Sequence, residues 1–252
     1  MKIITFANQK GGVGKTSSVV NIAYILRNIY NKKVLVIDLD AQFNSTDTYR
    51  AQQENVATIY DVLHDGYDIN QAIQHVGNMD IIAGDPNLSG MEKELVTDEE
   101  GYNKLKDAIE NLKKYDYVII DTNPDLNLLL INALVVSDSI MVPVEPGRYS
   151  IMGLTQLINT FYQIKDDFNP KLKIDGMFIV RCKKNTILHR EAKRGLKELA
   201  KQYTTKIFDT TIRDSVDMGT SQAAQKPLYE YKKRSPIEAD YEALVKEWRN
   251  FK

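Results

Sequence analysis

Lys10-Gly11-Gly12-Val13-Gly14-Lys15-Thr16-Ser17 decides how this chain folds. Before it, the apolar run Ile3-Ile4-Thr5-Phe6-Ala7 reads as a buried strand. After it, Val19-Val20-Asn21-Ile22-Ala23-Tyr24-Ile25-Leu26 reads as a helix. Strand, glycine-rich turn and helix together are the setting of a phosphate-binding loop. Glycines let the backbone curl so that successive N–H groups converge on a phosphate. The helix N-terminus adds partial positive charge. Lys15 can reach the outer phosphates, and the Thr16 hydroxyl can ligate Mg²⁺. The general pattern has a glycine at position 9, where this chain has Gln9, and Lys10 enters the loop instead.

The next apolar run, Lys33-Val34-Leu35-Val36-Ile37-Asp38-Leu39-Asp40, reads as a central parallel strand with carboxylates at its C-terminal edge. Ligands bind at that edge of open α/β sheets. Tyr115-Asp116-Tyr117-Val118-Ile119-Ile120-Asp121 is a second such strand, and Asp121 can hold Mg²⁺ through its water shell. Further strands are expected at Met79–Ala83, Ser139–Val144, Ile174–Val180 and Lys206–Phe208. Helices are expected at Tyr60–Leu63, Gly101–Leu112, Asn127–Val136, Gly153–Ile164 and Ile187–Tyr203. A last helix starts at Pro236, with Ala239, Leu244, Val245 and Trp248 facing inward. Strands alternating with helices predict one α/β domain over residues 1–252, a doubly wound, mostly parallel sheet with helices on both faces.

Composition narrows the function. The net charge of −1 gives no global basic field, so DNA binding would need a local patch. Cys182 is the only cysteine, which excludes internal disulfides and fits a reducing cytosol. No apolar run is long enough to span a membrane, and the opening strand leaves no room for a signal peptide.

Lys10 to Thr16, KGGVGKT, resembles the deviant Walker A loop of the ParA/MinD family of ATPases. Asp38 to Thr46 is similar to that family's DxDPQGNAT segment, with Ala41 for the proline and Phe43 for the glycine. Tyr115 to Pro124 resembles its YDYVIIDTPP, with Asn123 for the first proline. Glu145-Pro146-Gly147-Arg148-Tyr149-Ser150 resembles the loop that leads to a long helix at the family's dimer face. Ile212 to Met218 corresponds by order to IPRNVRL, which borders the adenine, but Arg213, Asp214 and Asp217 replace its proline and two arginines. Gln225-Lys226-Pro227-Leu228 resembles GKPV.

The resemblance implies the P-loop NTPase fold of deviant Walker A type, with ATP and Mg²⁺ as cofactors. It implies that Lys10, Gly11, Gly12, Val13, Gly14, Lys15, Thr16 and Ser17 hold the phosphates, with Arg213 and Ser215 near the base. Thr16, Asp38 and Asp121 would serve the metal, Asp40 would place the attacking water, and Lys10 would cross a nucleotide sandwich to the partner subunit's ATP. The expected protein is a cytoplasmic, nucleoid-associated partition ATPase of the ParA/Soj type. It dimerises on ATP, binds DNA without sequence preference, and is stimulated by a ParB-like centromere-binding protein. The longer type's N-terminal DNA-reading extension is expected to be absent.

Non-specific DNA binding needs exposed cations. The candidates are Arg181, Lys183 and Lys184; Arg190, Lys193, Arg194 and Lys197; and Lys232, Lys233 and Arg234. A MinD-like membrane-cycling ATPase is the alternative, and it needs a basic amphipathic C-terminal helix. Leu244, Trp248 and Phe251 have the spacing, but Glu238, Asp240, Glu242 and Glu247 suit anionic lipid poorly. A third reading is an ATPase that positions a protein cargo on the nucleoid.

Overall fold

The computed structural model describes residues 1–98, 100–112, 114–147, 150–183 and 186–250. Its strands are β1 (Lys2–Phe6), β2 (Val34–Leu39), β3 (Ile73–Val76), β4 (Met79–Ile82), β5 (Tyr117–Thr122), β6 (Ser139–Val144) and β7 (Lys173–Ile179). Its helices are α1 (Lys15–Asn28), α2 (Asn44–Tyr49), α3 (Ile59–His64), α4 (Leu88–Thr97), α5 (Lys104–Glu110) and α6 (Leu128–Val136). They continue as α7 (Ser150–Asp167), α8 (Ile187–Gln202), α9 (Val216–Ala223), α10 (Leu228–Tyr231) and α11 (Pro236–Asn250).

Among the described residues the strands form one sheet in the order β3-β4-β2-β5-β1-β6-β7. Neighbours pair parallel except β3 with β4. Strand periodicity sends alternate side chains to opposite faces. Val34 and Val36 of β2 join α1 and α11 in one cluster, with Ile22, Leu26, Tyr241 and Leu244. Leu35, Ile37 and Leu39 join α3 to α6 on the other face. Towards β6 and β7 that second face is covered by α6, α7 and α8. The sheet is therefore doubly wound, as the sequence predicts.

Several local readings change. Lys206–Phe208 makes only an isolated bridge from Ile207 to Met177, not a strand. The next two amides, Asp209 N–H and Thr210 N–H, donate to the Glu247 carboxylate at 2.7 and 2.9 Å, which interrupts the pairing with β7 until Ile212 N–H meets the Ile179 carbonyl at 2.8 Å. Ala239 is exposed rather than packed. The flanking acids turn inward instead: Glu238 closes a capping box with Ser235, and Asp240 pairs with Arg213. The helix expected from Gly101 begins at Lys104, while Leu105, Ile109 and Leu112 are buried as expected. Phe251 lies outside the described residues.

Candidate functional site

The loop from Lys10 to Gly14 sits between the end of β1 and the start of α1, and β1 is an interior strand between β5 and β6. Gly12 (φ 68°) and Gly14 (φ 87°) are left-handed, a conformation that costs other residues about 1 kcal/mol or more. Asn8, which the sequence reading passed over, fixes the loop's entrance. Its Nδ2 donates to the Pro143 carbonyl at 2.7 Å, and its Oδ1 accepts from Lys10 N–H at 2.9 Å. The Asn8 carbonyl accepts from Lys15 Nζ at 3.0 Å. Lys15 is buried, and burial lowers its pKa while Asp121, Asp40 and Asp125 pull it back up. Ser17 Oγ accepts from Gln222 of α9 at 2.9 Å. Asn8→Ala should weaken ATP binding by about tenfold, the loss of roughly 1.4 kcal/mol of loop positioning, with little change in fold. Titration with a fluorescent ATP analogue, beside circular dichroism, checks this.

Parallel register sets Asp38 of β2 beside Asp121 of β5 at the C-terminal edge. Both are fully buried. Asp38 accepts from Thr46 N–H at 2.8 Å and Thr46 Oγ1 at 2.7 Å, which tie it to the start of α2. Asp121 Oδ2 accepts from Ser45 Oγ at 2.7 Å. Burial, then the charge of Asp121, raises Asp38 to about 8. Burial raises Asp121 to about 6, against the hydroxyls of Ser45 and Thr16.

Asp121 Oδ1 has no hydrogen-bond partner among the described residues. An orphaned carboxylate oxygen, beside a second buried carboxylate and the Thr16 hydroxyl, fits a divalent cation. Asp38 faces Thr46 and stands one step further from the loop. Among the described residues no group of three or more His, Cys, Asp or Glu could hold a metal by itself.

Asp40 is buried at the mouth of the loop, where its Oδ1 accepts from Gln42 N–H at 2.9 Å. Phe43 N–H donates to the Asp40 carbonyl at 2.9 Å and closes the turn. Phe43 is left-handed (φ 40°, ψ 37°), the conformation a glycine takes without strain. The aromatic residue keeps the turn's shape at an energetic cost.

A cleft of about 740 Å³ runs from the loop past Asp40 to Ile212–Val216 and Tyr241. Ser215 caps α9, accepting from Asp217 N–H at 3.2 Å. Arg213 lines the cleft with its guanidinium engaged by Asp240 at 2.6 and 2.7 Å. It therefore serves as a strut between the cleft wall and α11.

The cation clusters differ in how free they are. Arg181 faces Glu145 at 3.8 Å, Lys183 faces Asp214 at 3.7 Å, and Lys232 pairs with Asp217 at 2.9 Å. Lys184 lies outside the described residues, as do Arg148 and Tyr149 of the loop before α7. Lys233 and Arg234 are exposed. On α8, Lys193 reaches Asp209 at 3.5 Å. Arg190, Arg194, Lys197 and Lys201 are exposed at i, i+4, i+7 and i+11, opposite the buried Ala192, Leu196, Leu199 and Ala200.

A glycine loop on an interior parallel strand, feeding a helix and faced by two strand-end carboxylates, defines a P-loop NTPase. Residues 1–174 match the AAA_31 (AAA domain) family. The sporulation initiation inhibitor protein Soj of Bacillus subtilis is 37% identical over 98% of this chain and 97% of that protein. The chromosome partitioning protein ParA of Myxococcus xanthus is 31% identical over 98% of this chain and 87% of that protein. A Borrelia burgdorferi B31 chain described as a plasmid partition protein, bound to AMPPNP, superposes with a TM-score of 0.81 at 30% identity, covering 99% of this chain and 98% of that one. The chain belongs to the AAA_31 family, and within it to the ParA/Soj-type partition ATPases of deviant Walker A kind.

Proposed function

We propose that residues 1–252 act as one ATPase domain that hydrolyses ATP to ADP and phosphate and uses the cycle to partition DNA. The observation that carries this is one cleft lined by the glycine loop, Lys15 and Asp40, with Asp121 close enough to act on the Lys15 charge. Loop N–H groups and Lys15 neutralise the outer phosphates, and Arg213 and Ser215, which line the cleft, wall the nucleoside end. Thr16 and Asp121, with Asp38 behind them, hold Mg²⁺, which when bound neutralises charge on the β- and γ-phosphates. Asp40 orients the attacking water. Lys10 engages the nucleotide of a second copy, so ATP binding drives dimerisation and hydrolysis reverses it.

The dimer then binds DNA without sequence preference through α8. Its four exposed cations span about 16 Å of helix, enough for successive phosphates. A centromere-binding partner of the ParB type stimulates hydrolysis and release, and the protein works on the nucleoid. The membrane reading is disfavoured by α11, which buries Ile237, Tyr241, Leu244, Val245 and Trp248 against α1 and the sheet. No described helix is long and apolar enough to cross a membrane.

The test is binding to random-sequence duplex DNA and to anionic vesicles, with and without ATP. Binding to DNA only with ATP supports the reading, and binding to vesicles instead overturns it. Replacing Arg190, Arg194, Lys197 and Lys201 by Ala should flatten the slope of log affinity against log salt by about 3 to 4 per protomer. An unchanged slope would move the DNA contact away from α8.

A further inference from the structure

We infer that Glu145 is a positioning residue that holds the Lys10 ammonium in its own subunit and so sets the threshold for ATP-driven dimerisation. This rests on the reading above, in which Lys10 serves the nucleotide of a second copy. Lys10 has two anchors of different character. Its backbone N–H is fixed by Asn8 Oδ1 at 2.9 Å, inside a network that ties the loop to β6. Its side chain, about half exposed, instead donates to Glu145 Oε2. Glu145 follows β6 directly and is only 24% exposed, so its carboxylate is the more buried partner. Its other oxygen lies 3.8 Å from Arg181, which lines the nucleotide cleft.

One carboxylate thus faces two cations at the mouth of the cleft. The Lys10 ammonium cannot donate fully to Glu145 and also reach across to a phosphate of the other subunit. The phosphate carries more charge and wins when it is present, but the ion pair with Glu145 must be given up first. A partly exposed pair of this kind shifts an equilibrium by about two- to fivefold. A symmetric dimer breaks two such pairs. Removing the carboxylate should therefore lower the dimer dissociation constant by about four- to twenty-fivefold. The same contact keeps the monomer from presenting a free lysine to other anions between cycles.

The experiment measures dimerisation by analytical ultracentrifugation with a non-hydrolysable ATP analogue and Mg²⁺, at 50 and 500 mM KCl. Wild type, Glu145→Gln, Glu145→Asp and Lys10→Ala are compared. Glu145→Gln should dimerise at roughly tenfold lower concentration than wild type at 50 mM salt. That difference should shrink at 500 mM, because an exposed pair is screened. Glu145→Asp, which keeps the charge, should stay close to wild type. A general loosening of the loop would not be repaired by Asp and would not depend on salt. If Lys10→Ala stays monomeric but Glu145→Gln matches wild type or dimerises less well, the role given to Glu145 is overturned. If Lys10→Ala dimerises like wild type, the crossing lysine itself is overturned, and the role of Glu145 with it.

Discussion

Asp40→Ala should bind ATP within about threefold of wild type and hydrolyse it at least ~100-fold more slowly, the usual loss when a positioned carboxylate is removed from proton or water handling. The split follows from where Asp40 stands. It is held at the mouth of the loop by Gln42 N–H and by the turn that Phe43 N–H closes on its carbonyl. It donates nothing to the phosphates, which the loop amides and Lys15 take. Its loss should therefore leave nucleotide affinity nearly intact and trap the dimer on DNA. Single-turnover hydrolysis beside nucleotide titration separates the two effects. A variant that hydrolyses ATP within threefold of wild type would remove Asp40 from the mechanism. Lys15→Ala should do the opposite and lose affinity first.

The parts of this site written in continuous apolar strands were legible in advance. β1, β2, β5 and β6 are buried along most of their length, so their runs of Val, Ile and Leu mark them, and a terminal Asp then marks the ligand edge. Partners set by the tertiary fold were not legible. Asn8 precedes the loop like any polar turn residue, and only the approach of Pro143, 135 positions away, gives it a role. Ser45 and Gln222 likewise meet Asp121 and Ser17 across 76 and 205 positions in sequence. β3 is half-exposed and short, so it lacks the apolar run, although Gly77-Asn78 before Met79 is a hairpin signal that could have found it. α4 was also readable from Leu88, Met91 and Leu95 at helical spacing. Lys206–Phe208 shows the reverse error. Its residues suit a strand, and Phe208 N–H does bond Met177, but Glu247 of α11 takes the next two amides and breaks the pairing before it can extend.

Asp121→Asn should abolish Mg²⁺-dependent hydrolysis, by about 100-fold or more, and at the same time stabilise the metal-free protein. The two effects share one cause. Asp38 and Asp121 are buried side by side, and burial raises them to about 8 and about 6. Unfolded aspartates titrate near 3.9, so between that pH and 8 the folded chain holds more protons than the unfolded one. Without a cation, stability therefore falls as pH rises through 6 and 8, and it is regained on acidification towards 4. Asn at position 121 removes one charge and relieves the other, worth about 2 kcal/mol, or roughly 5 °C in Tm at pH 8. It should also flatten the rise in Tm between pH 8 and pH 6. Mg²⁺ with ATP should flatten it in wild type, because a cation supplies the compensation that protons supply without it. Differential scanning fluorimetry across that range, with and without Mg²⁺ and ATP, reads both effects. An Asp121→Asn protein that melted lower at pH 8 would mean that the orphaned Oδ1 carries no uncompensated charge, and the case for a cation between Thr16 and Asp121 would fall with it. If stability and activity do trade places as expected, the two aspartates are retained against the fold's own interest, which is the mark of a pair kept for its ligand.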